Sequence, residues 1–295
     1  MGAALALCAA FLFALAATLQ QKGAVGMGGI SLGSPSSFAR LATQKFWLFG
    51  TIALFVGYVV QAAALDRGRL SVIQPLLVMT VVFALPLGYF LTSQHVGRTE
   101  VLGAAVIVAG LAMFTIFADP ASGVDDAPAS DWAVLLVLFC GLAVVLMFLG
   151  GRGSLTRKAA TYGLAAGVLF GLSASLAKPT VETLHEGIGA VLTDWEAYAM
   201  AITGIAAFVV QQVSLGTGKL APSVATVSVA NPVVAITIGA LVLDERLARP
   251  AWHIVLGVGG LVLALAGAVV ISLATEGDKA AGEPTATSPV EPAPT

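Results

Sequence analysis

About nine apolar segments of membrane-spanning length follow one another along this chain. They cover residues 3–21, 46–65, 70–92, 100–117, 132–150, 161–178, 195–215, 220–243 and 252–274. A helix needs about 20 mostly apolar residues to cross the hydrocarbon core of a bilayer. Only 10% of the residues are charged, whereas soluble domains carry about 25%. The chain is therefore predicted to be an all-α polytopic membrane protein with about nine transmembrane helices.

Three stretches lie between or after these segments. The stretch 24–44 is too polar and too rich in Gly, Ser and Pro for a convincing span, although a re-entrant or tenth membrane segment stays open there. The stretch 180–194 contains acidic residues and a histidine and is predicted as a loop or a surface helix. Residues 275–295 are mostly Glu, Pro, Ala, Thr and Ser. Such a composition cannot bury enough apolar surface to order itself, so a disordered tail is predicted.

The orientation in the membrane follows from the positions of Lys and Arg, because cytoplasmic loops carry the excess of these residues. One side has Arg67, Arg69, Lys178, Arg246 and Arg249. The other has Lys22, Arg40, Lys45, Arg98, Arg152, Arg157, Lys158, Lys219 and Lys279. The second side is predicted to be cytoplasmic. The chain is then a multi-pass protein of the cell membrane with its N-terminus outside and its C-terminal tail in the cytoplasm.

Four tryptophans stand at the starts of apolar segments: Trp47, Trp132, Trp195 and Trp252. Tryptophan is enriched where a transmembrane helix passes through the membrane–water interface. These residues are therefore predicted to form an aromatic belt at the interface rather than a binding platform.

A short internal echo suggests that the chain consists of two related halves. Val59-Val60-Gln61, Leu65, Gly68 and Leu70 recur as Val209-Val210-Gln211, Leu215, Gly218 and Leu220 at a constant offset of 150. Repeat one is then 1–118, a connector helix covers 132–150, and repeat two is 159–274. An odd number of spans separates the two copies, so they enter the membrane from opposite sides. The predicted layout is an inverted 4+1+4 repeat.

Small residues extend this repeat. Gly103 and Gly110 have the same spacing as Gly260 and Gly267 in the matching segment of the second half. In the first and sixth segments the matching strips are Ala6, Ala10 and Ala14, and Gly163, Gly167 and Gly171. Small residues four positions apart let helix backbones approach closely in a membrane, so these strips are predicted to be helix contacts.

Polar side chains inside the membrane are default candidates for a binding site, because burying them in hydrocarbon is costly. The substrate-binding candidates are Gln61, Gln74, Gln211, Asn231, Tyr58 and Lys178. Gln61 and Gln211 are related by the repeat and are predicted near opposite ends of their helices. The alternative for the amides is hydrogen bonding between helices. The alternative for Lys178 is that its ammonium reaches back to the membrane surface.

Three prolines are predicted to bend membrane helices: Pro75, Pro86 and Pro232. A proline in a helix removes one backbone hydrogen bond and frees the carbonyl four residues earlier. Such freed carbonyls are tolerated at membrane depth where a helix lines a cavity or packs on its neighbours. The prolines are interpreted as kinks that take part in gating; purely structural kinks are the alternative.

Several motifs of the second half resemble the drug/metabolite transporter superfamily, of the EamA-like type. They are Ser214-Leu215, Asn231-Pro232, Asp244-Glu245-Arg246-Leu247, and the glycines of the last segment. In that superfamily a helix ends in a small residue and Leu, the next has a mid-helix proline and an acidic end, and a glycine-bearing helix follows. The resemblance implies a helical membrane transporter, and it covers roughly 3–274.

The nine-helix layout is similar to the magnesium-transporter (NIPA-like) subfamily. Leu19-Gln20-Gln21-Lys22-Gly23 and Val72-Ile73-Gln74-Pro75-Leu76 resemble its elements after the first helix and at the start of the third. The resemblance implies Mg²⁺ as a substrate. The second helix departs from the pattern, because Gly57-Tyr58 and Gln61 stand where the subfamily has Gly-Glu and Asn.

Together these features favour a single transmembrane transporter domain over residues 1–274. The first hypothesis is a secondary transporter of a small organic solute or metabolite, gradient-driven or facilitative, that works by alternating access. A divalent-cation (Mg²⁺) transporter and a non-transporting membrane scaffold or sensor are the alternatives. No enzymatic activity, cofactor, metal site or nucleic-acid partner is predicted. The expected partners are the solute, the lipid bilayer and a second copy of the chain in a homodimer.

Overall fold

The computed structural model describes residues 2–28, 30, 35–67, 76–94, 96–117, 128–241 and 251–282. Within these ranges the elements are helical. They are α1 (Gly2–Val25), α2 (Pro35–Leu41), α3 (Lys45–Asp66), α4 (Thr80–Thr92), α5 (Arg98–Phe117), α6 (Ala129–Gly150), α7 (Leu155–His185), α8 (Ile188–Val191), α9 (Trp195–Leu215), α10 (Leu220–Leu241) and α11 (Ala251–Gly282).

Six of the described helices are long and apolar enough to cross a membrane: α1, α6, α7, α9, α10 and α11. The described parts of α3 and α4 supply shorter apolar helices. The prediction of an all-α protein with several membrane-crossing helices is thereby confirmed, and the protein is a multi-pass membrane protein.

The predicted apolar segments coincide with helices wherever the structure describes them. The segment 195–215 matches α9 residue for residue. The first six positions of the segment 70–92, including Gln74 and Pro75, lie outside the described residues. In the stretch 24–44 the structure has α2, whose seven residues are far fewer than the roughly 20 that a span requires.

Helix α7 is longer than the segment 161–178 that predicts it. It begins at Leu155 and continues through Pro179 to His185, so the first six positions of the stretch 180–194, expected as a loop or surface helix, belong to its C-terminal end. The hydroxyls of Thr180 and Thr183 donate to the carbonyls of Leu176 and Pro179 at 2.8 and 3.1 Å. Proline is tolerated in a membrane helix where side chains and neighbouring helices satisfy the freed backbone groups.

Helix α11 also exceeds its prediction. It continues to Gly282, so the first eight positions of the predicted tail 275–295 are helical. The remainder of that tail, 283–295, lies outside the described residues.

The most extensive helix contacts are those of α5 with α11 and of α1 with α3, followed by those of α7 with α10 and α9. Helix α6 packs on α7, and α4 packs on α1. One apolar core lies where α1, α4, α5, α10 and α11 meet, and Ala14, Leu85, Ile107, Val229 and Ala264 are buried in it.

Strips of small residues lie at two of these contacts. A Cβ atom on Gly163, Gly167 or Gly171 of α7 would lie within 3.0 Å of a backbone carbonyl oxygen of α10. On α1 the matching residues, Ala6, Ala10 and Ala14, are fully buried. The predicted strips are therefore confirmed as helix contacts.

The prediction of an aromatic belt at the membrane interface is wrong for one of the four tryptophans. Trp132 is completely buried and packs among Leu172, Leu176 and Ile238. The start of α6 is covered by α7 and α10, so this indole is part of the bundle interior. Trp195 and Trp252, in contrast, are 38% and 55% exposed.

Candidate functional site

Polar side chains gather at one end of the bundle, where α1 and α9 end and α3 and α10 begin. We call this region the amide end, because it is built around Gln20, Gln21, Gln94 and Gln212. Gln20, Gln21 and Gln212 are each only 1% exposed. Buried amides are costly unless they are hydrogen-bonded, so their partners determine how the helices are held together here.

A chain of hydrogen bonds joins three helices at the amide end. Trp47 Nε1, in the first turn of α3, donates to Gln212 Oε1 of α9 at 2.8 Å. Gln212 Nε2 donates to Gln20 Oε1 of α1 at 3.0 Å. Gln20 Nε2 lies 3.5 Å from Thr51 Oγ1 of α3. This chain ties the end of α9 to the hairpin formed by α1 and α3.

A second set of bonds centres on Gln94, just after α4. Ser93 adopts a left-handed conformation with φ 53°, and its backbone ends the helix. The Gln94 side chain donates to Gln21 Oε1 of α1 and accepts from the Leu220 backbone N–H at 3.2 Å. Leu220 is the first residue of α10, whose opening N–H groups have no partner within the helix. Gln94 therefore holds α1, α4 and α10 together.

One buried donor at the amide end is left without a partner. Gln21 Nε2 has no hydrogen-bond partner among the described residues, although Gln21 Oε1 accepts from Gln94. A buried unsatisfied donor costs about 1–3 kcal/mol. A buried donor of this kind calls for a partner such as a water, an ion or a ligand.

A polar cleft of about 240 Å³ opens next to Gln94, between α4, α5 and α10. Its polar lining comes from Ser93, Gln94, Glu100 and Lys219, and its apolar lining includes Leu85. Glu100 is only 3% exposed, and its Oε2 accepts from the Gly97 N–H at 2.9 Å. The residues around this cleft thus include an acidic and a basic side chain, an amide and a hydroxyl.

Comparison with known proteins decides the family. No family model matches the chain, and no solved structure matches it. The chain is 32% identical over 270 residues to "Uncharacterized protein Cgl0250/cg0304" of Corynebacterium glutamicum, over 86% of this chain and 91% of that protein. The chain belongs to the family of this corynebacterial protein. The alignment covers most of both chains, so the kinship concerns the bundle as a whole rather than one segment.

In this family member the sequence-predicted site residues are spread over the bundle. Gln211 adjoins Gln212 at the amide end, whereas Gln61 stands 14 residues after Trp47 in α3, roughly 21 Å along the helix. The repeat-related pair therefore lies at opposite ends, as its positions in the sequence predict. Asn231 lies where α10 meets α7, and its backbone carbonyl oxygen approaches Gly171.

The remaining candidates fall into three groups. Tyr58 is 49% exposed, and its ring packs edge-on against Phe13 of α1, with centroids 5.1 Å apart. Pro86 and Pro232 lie inside α4 and α10. Lys178 belongs to α7, but its side chain, like Gln74 and Pro75, lies outside what the structure describes. The structure does not bring these candidates together into one site.

The residues that do meet were not singled out as a site by the sequence. Gln20 and Gln21 figured only in a motif after the first segment, and Trp47 only in the predicted interface belt. Glu100 stands at the start of its segment, where a charged residue is expected to face water. The usable signal was the adjacent pair Gln20-Gln21, because two amides at the end of an apolar segment are unusual inside a membrane.

Proposed function

We propose that this protein is a secondary transporter that carries a small organic solute or metabolite across the cell membrane by alternating access. The proposal includes the inverted 4+1+4 repeat of about nine helices and kinship with the drug/metabolite transporter superfamily. The amide end is the cytoplasmic end in this proposal, because the helix ends that meet there carry the larger group of Lys and Arg residues.

The observation that carries the proposal is the crossing of α5 and α11. Gly103 meets Gly267, and Gly110 meets Gly260, so the two helices run in opposite directions. The sequence repeat pairs Gly103 with Gly260 and Gly110 with Gly267. A twofold axis in the membrane plane would therefore exchange one contact with the other, which is the relation that an inverted-repeat transporter has between its halves.

Other helix contacts support the same symmetry. Helix α1 packs on α3 and α4, and its counterpart α7 packs on α9 and α10. The ends of the third helix of each repeat also meet, since Gly88 of α4 approaches Leu220 of α10. In such transporters the site lies between the repeats, and one repeat rocks against the other around it.

The amide end supports a gating role. Its hydrogen bonds connect α1, α3 and α4 of the first repeat with α9 and α10 of the second. Hydrogen bonds between membrane helices contribute about 0.6 kcal/mol each on average. A few bonds of this strength close one end of a pathway yet can be broken on the time scale of transport.

The polar cleft supports a zwitterionic or neutral polar solute as the cargo. Its lining combines one carboxylate, Glu100, with one ammonium, Lys219, and uncharged polar groups. A bare divalent cation prefers several oxygen ligands, carboxylates among them, and Lys219 would oppose it. Mg²⁺ transport remains the alternative that the experiments below can select.

Topology can be tested by cysteine labelling of intact cells. The native Cys8 and Cys140 are free and would be replaced by Ala. Arg67→Cys should react with a membrane-impermeant thiol reagent from outside, and Lys219→Cys only after permeabilisation. Reaction of both cysteines from the same side would contradict the inverted repeat. Reaction of Lys219→Cys from outside and of Arg67→Cys only after permeabilisation would mean that the protein has the opposite orientation in the membrane.

Transport can be tested by a binding screen followed by flux. The purified protein would be screened for thermal stabilisation by neutral and zwitterionic solutes and by Mg²⁺, because a ligand that binds the folded state stabilises it. A stabilising solute should then exchange across proteoliposomes and lose this exchange in Lys219→Ala, which removes the basic side chain beside the cleft. If Mg²⁺ alone stabilised the protein, and Glu100→Gln abolished this stabilisation, the proposed cargo would be a divalent cation and not an organic solute. No flux of any stabilising ligand would contradict transport altogether.

A further inference from the structure

An apolar groove continues the polar cleft along the outside of the bundle. The groove encloses about 460 Å³ between α4 and α5. Val82 and Pro86 line it from α4, and Val101 and Ala105 line it from α5. Phe90, at its edge, is 77% exposed, so the groove opens toward the surroundings of the bundle.

The groove and the cleft adjoin each other, because Leu85 and Val96 line both of them. Polar and charged groups surround one end, and apolar side chains surround the rest. The polar end lies beside the turn between α4 and α5, at the end of the bundle. The apolar part runs along two helices of the membrane region. A molecule that fills both parts must be amphipathic.

The sequence explains why the groove exists. Helix α4 packs far less closely on α5 than α10 packs on α11, its counterpart in the second repeat. Pro86 has no backbone N–H and no long side chain to reach across, and Ala104 and Ala105 are small. The seam between α4 and α5 therefore has few side chains to fill it.

We propose that the seam between α4 and α5 binds a phosphoethanolamine lipid, with its headgroup in the polar cleft and one acyl chain in the apolar groove. The primary ammonium would donate to Glu100, and the phosphate would accept from Lys219. Charge-assisted bonds of this kind are about twice as strong as neutral ones. The two charges of opposite sign match a zwitterionic headgroup better than an anionic one. This proposal does not require transport, and a lipid headgroup in the cleft should compete with any solute that binds there.

The placement of the acyl chain can be tested by filling the groove with a larger side chain. Phosphatidylethanolamine would be titrated into the detergent-purified protein, with thermal stabilisation and native mass spectrometry as readouts. Ala105→Phe fills the groove from an exposed position of α5 and should abolish both stabilisation and the lipid-bound species. Ala266→Phe adds the same bulk to an exposed position of α11 and should leave both unchanged. An equal response of the two variants would overturn the proposal.

The headgroup half needs charge variants and matched lipids. Glu100→Gln keeps an oxygen for the Gly97 N–H and should weaken phosphatidylethanolamine binding roughly tenfold, because one charge-assisted bond is lost. Lys219→Met should weaken it similarly, and the exposed Lys45→Met should not. Glycerophosphoethanolamine, which has the headgroup and no chains, should stabilise far less than the intact lipid. Equal stabilisation by the free headgroup, or tighter binding of phosphatidylglycerol with the same chains, would overturn the proposal.

Discussion

Gly110 of α5 and Gly260 of α11 bring two helix backbones into direct contact. A Cβ atom on Gly110 would lie 2.5 Å from the carbonyl oxygen of Gly260, and one on Gly260 would lie 2.6 Å from that of Gly110. No side chain of either helix can relieve such a clash, since both partners are backbone atoms. The mutual approach makes this crossing intolerant of any larger residue.

Gly110→Ala should therefore destabilise the protein by about 1–3 kcal/mol, the range for overpacking a close contact. Gly260→Ala should cost a similar amount, because the contact is reciprocal. The measurement is reversible unfolding in mixed micelles, followed by circular dichroism.

The control for these variants is Gly141→Ala in α6, where an added Cβ meets nothing within 4 Å. Alanine is favoured over glycine in a helix by roughly 1 kcal/mol, so this variant should be neutral or more stable. Equal destabilisation by all three substitutions would contradict the glycine crossing.

The hydrogen bond from Trp47 to Gln212 should show energetic coupling. In a double-mutant cycle of Trp47→Phe and Gln212→Leu, we expect a coupling of about 0.6 kcal/mol, the average for bonds between membrane helices. The same cycle with Gln211→Leu, one residue away, should be additive. Coupling of equal size in both cycles would mean that the bond between α3 and α9 does not form.

Two serines between α7, α9 and α10 should differ in their contributions. Ser214 Oγ donates to the Ala159 carbonyl at 2.7 Å and lies 2.8 Å from Ser223 Oγ, and both serines are buried. Ser214→Ala removes both contacts and strands the Ser223 hydroxyl, so it should cost about 1–3 kcal/mol. Ser223→Ala leaves the bond to Ala159 intact and should cost less. Thermal unfolding of the two variants and of the double variant measures this, and a double variant costing the sum of both would argue against the shared bond.

The cap of α9 should make stability depend on pH. Asp194 accepts from the Glu196 N–H at 3.1 Å. Burial acts to raise the pKa of the Asp194 carboxyl, but the hydrogen bonds, led by those from Glu196, outweigh it and lower the pKa. A lowered pKa in the folded state means that the ionised form stabilises the fold. This contribution is complete above the unfolded pKa of about 3.9 and is lost as the pH falls through the lower folded value.

Asp194→Asn should therefore remove the part of the acid destabilisation that Asp194 causes, since Asn caps as well as Asp without a charge. The matched control is Ser154→Ala, which removes the cap of α7 formed with the Arg157 N–H at 3.1 Å. Its cost, about 1 kcal/mol, should be the same at pH 7 and pH 3.5. Unfolding at several pH values measures both, and identical pH profiles for Asp194→Asn and the parent would contradict the lowered pKa.

The helices could be read from the sequence because membrane burial imposes a length and an apolar composition on each segment. The glycine pairs on α5 and α11 and the strips on α1 and α7 were likewise visible, since small residues at fixed spacing mark close helix contacts. The end of α7 was placed too early because the acidic residues and the histidine that follow residue 178 are typical of a loop or a surface helix. Here the hydroxyls of Thr180 and Thr183 bind carbonyls along the same turn.

The amide end was harder to predict, because its bonds join residues far apart in the chain. Trp47 and Gln212 are 165 positions apart, and nothing local to either residue names its partner. Glu100 was not predicted as a site residue for a different reason. A carboxylate in the first turn of a helix normally faces water and stabilises the helix dipole, whereas here the turn before α5 and the start of α10 close over it.

The small-residue strips on α7 and α1 should give their helix contacts different resistance to sliding. Helix α7 meets α10 through glycines, so its backbone is locked into the neighbouring backbone and any sliding must break several close approaches at once. Helix α1 has alanine methyl groups at the matching positions. These methyl groups keep its backbone farther from the neighbouring helix, so sliding should break fewer close backbone contacts. The contact of α7 with α10 should therefore resist sliding more than the contacts that α1 makes through its three alanines.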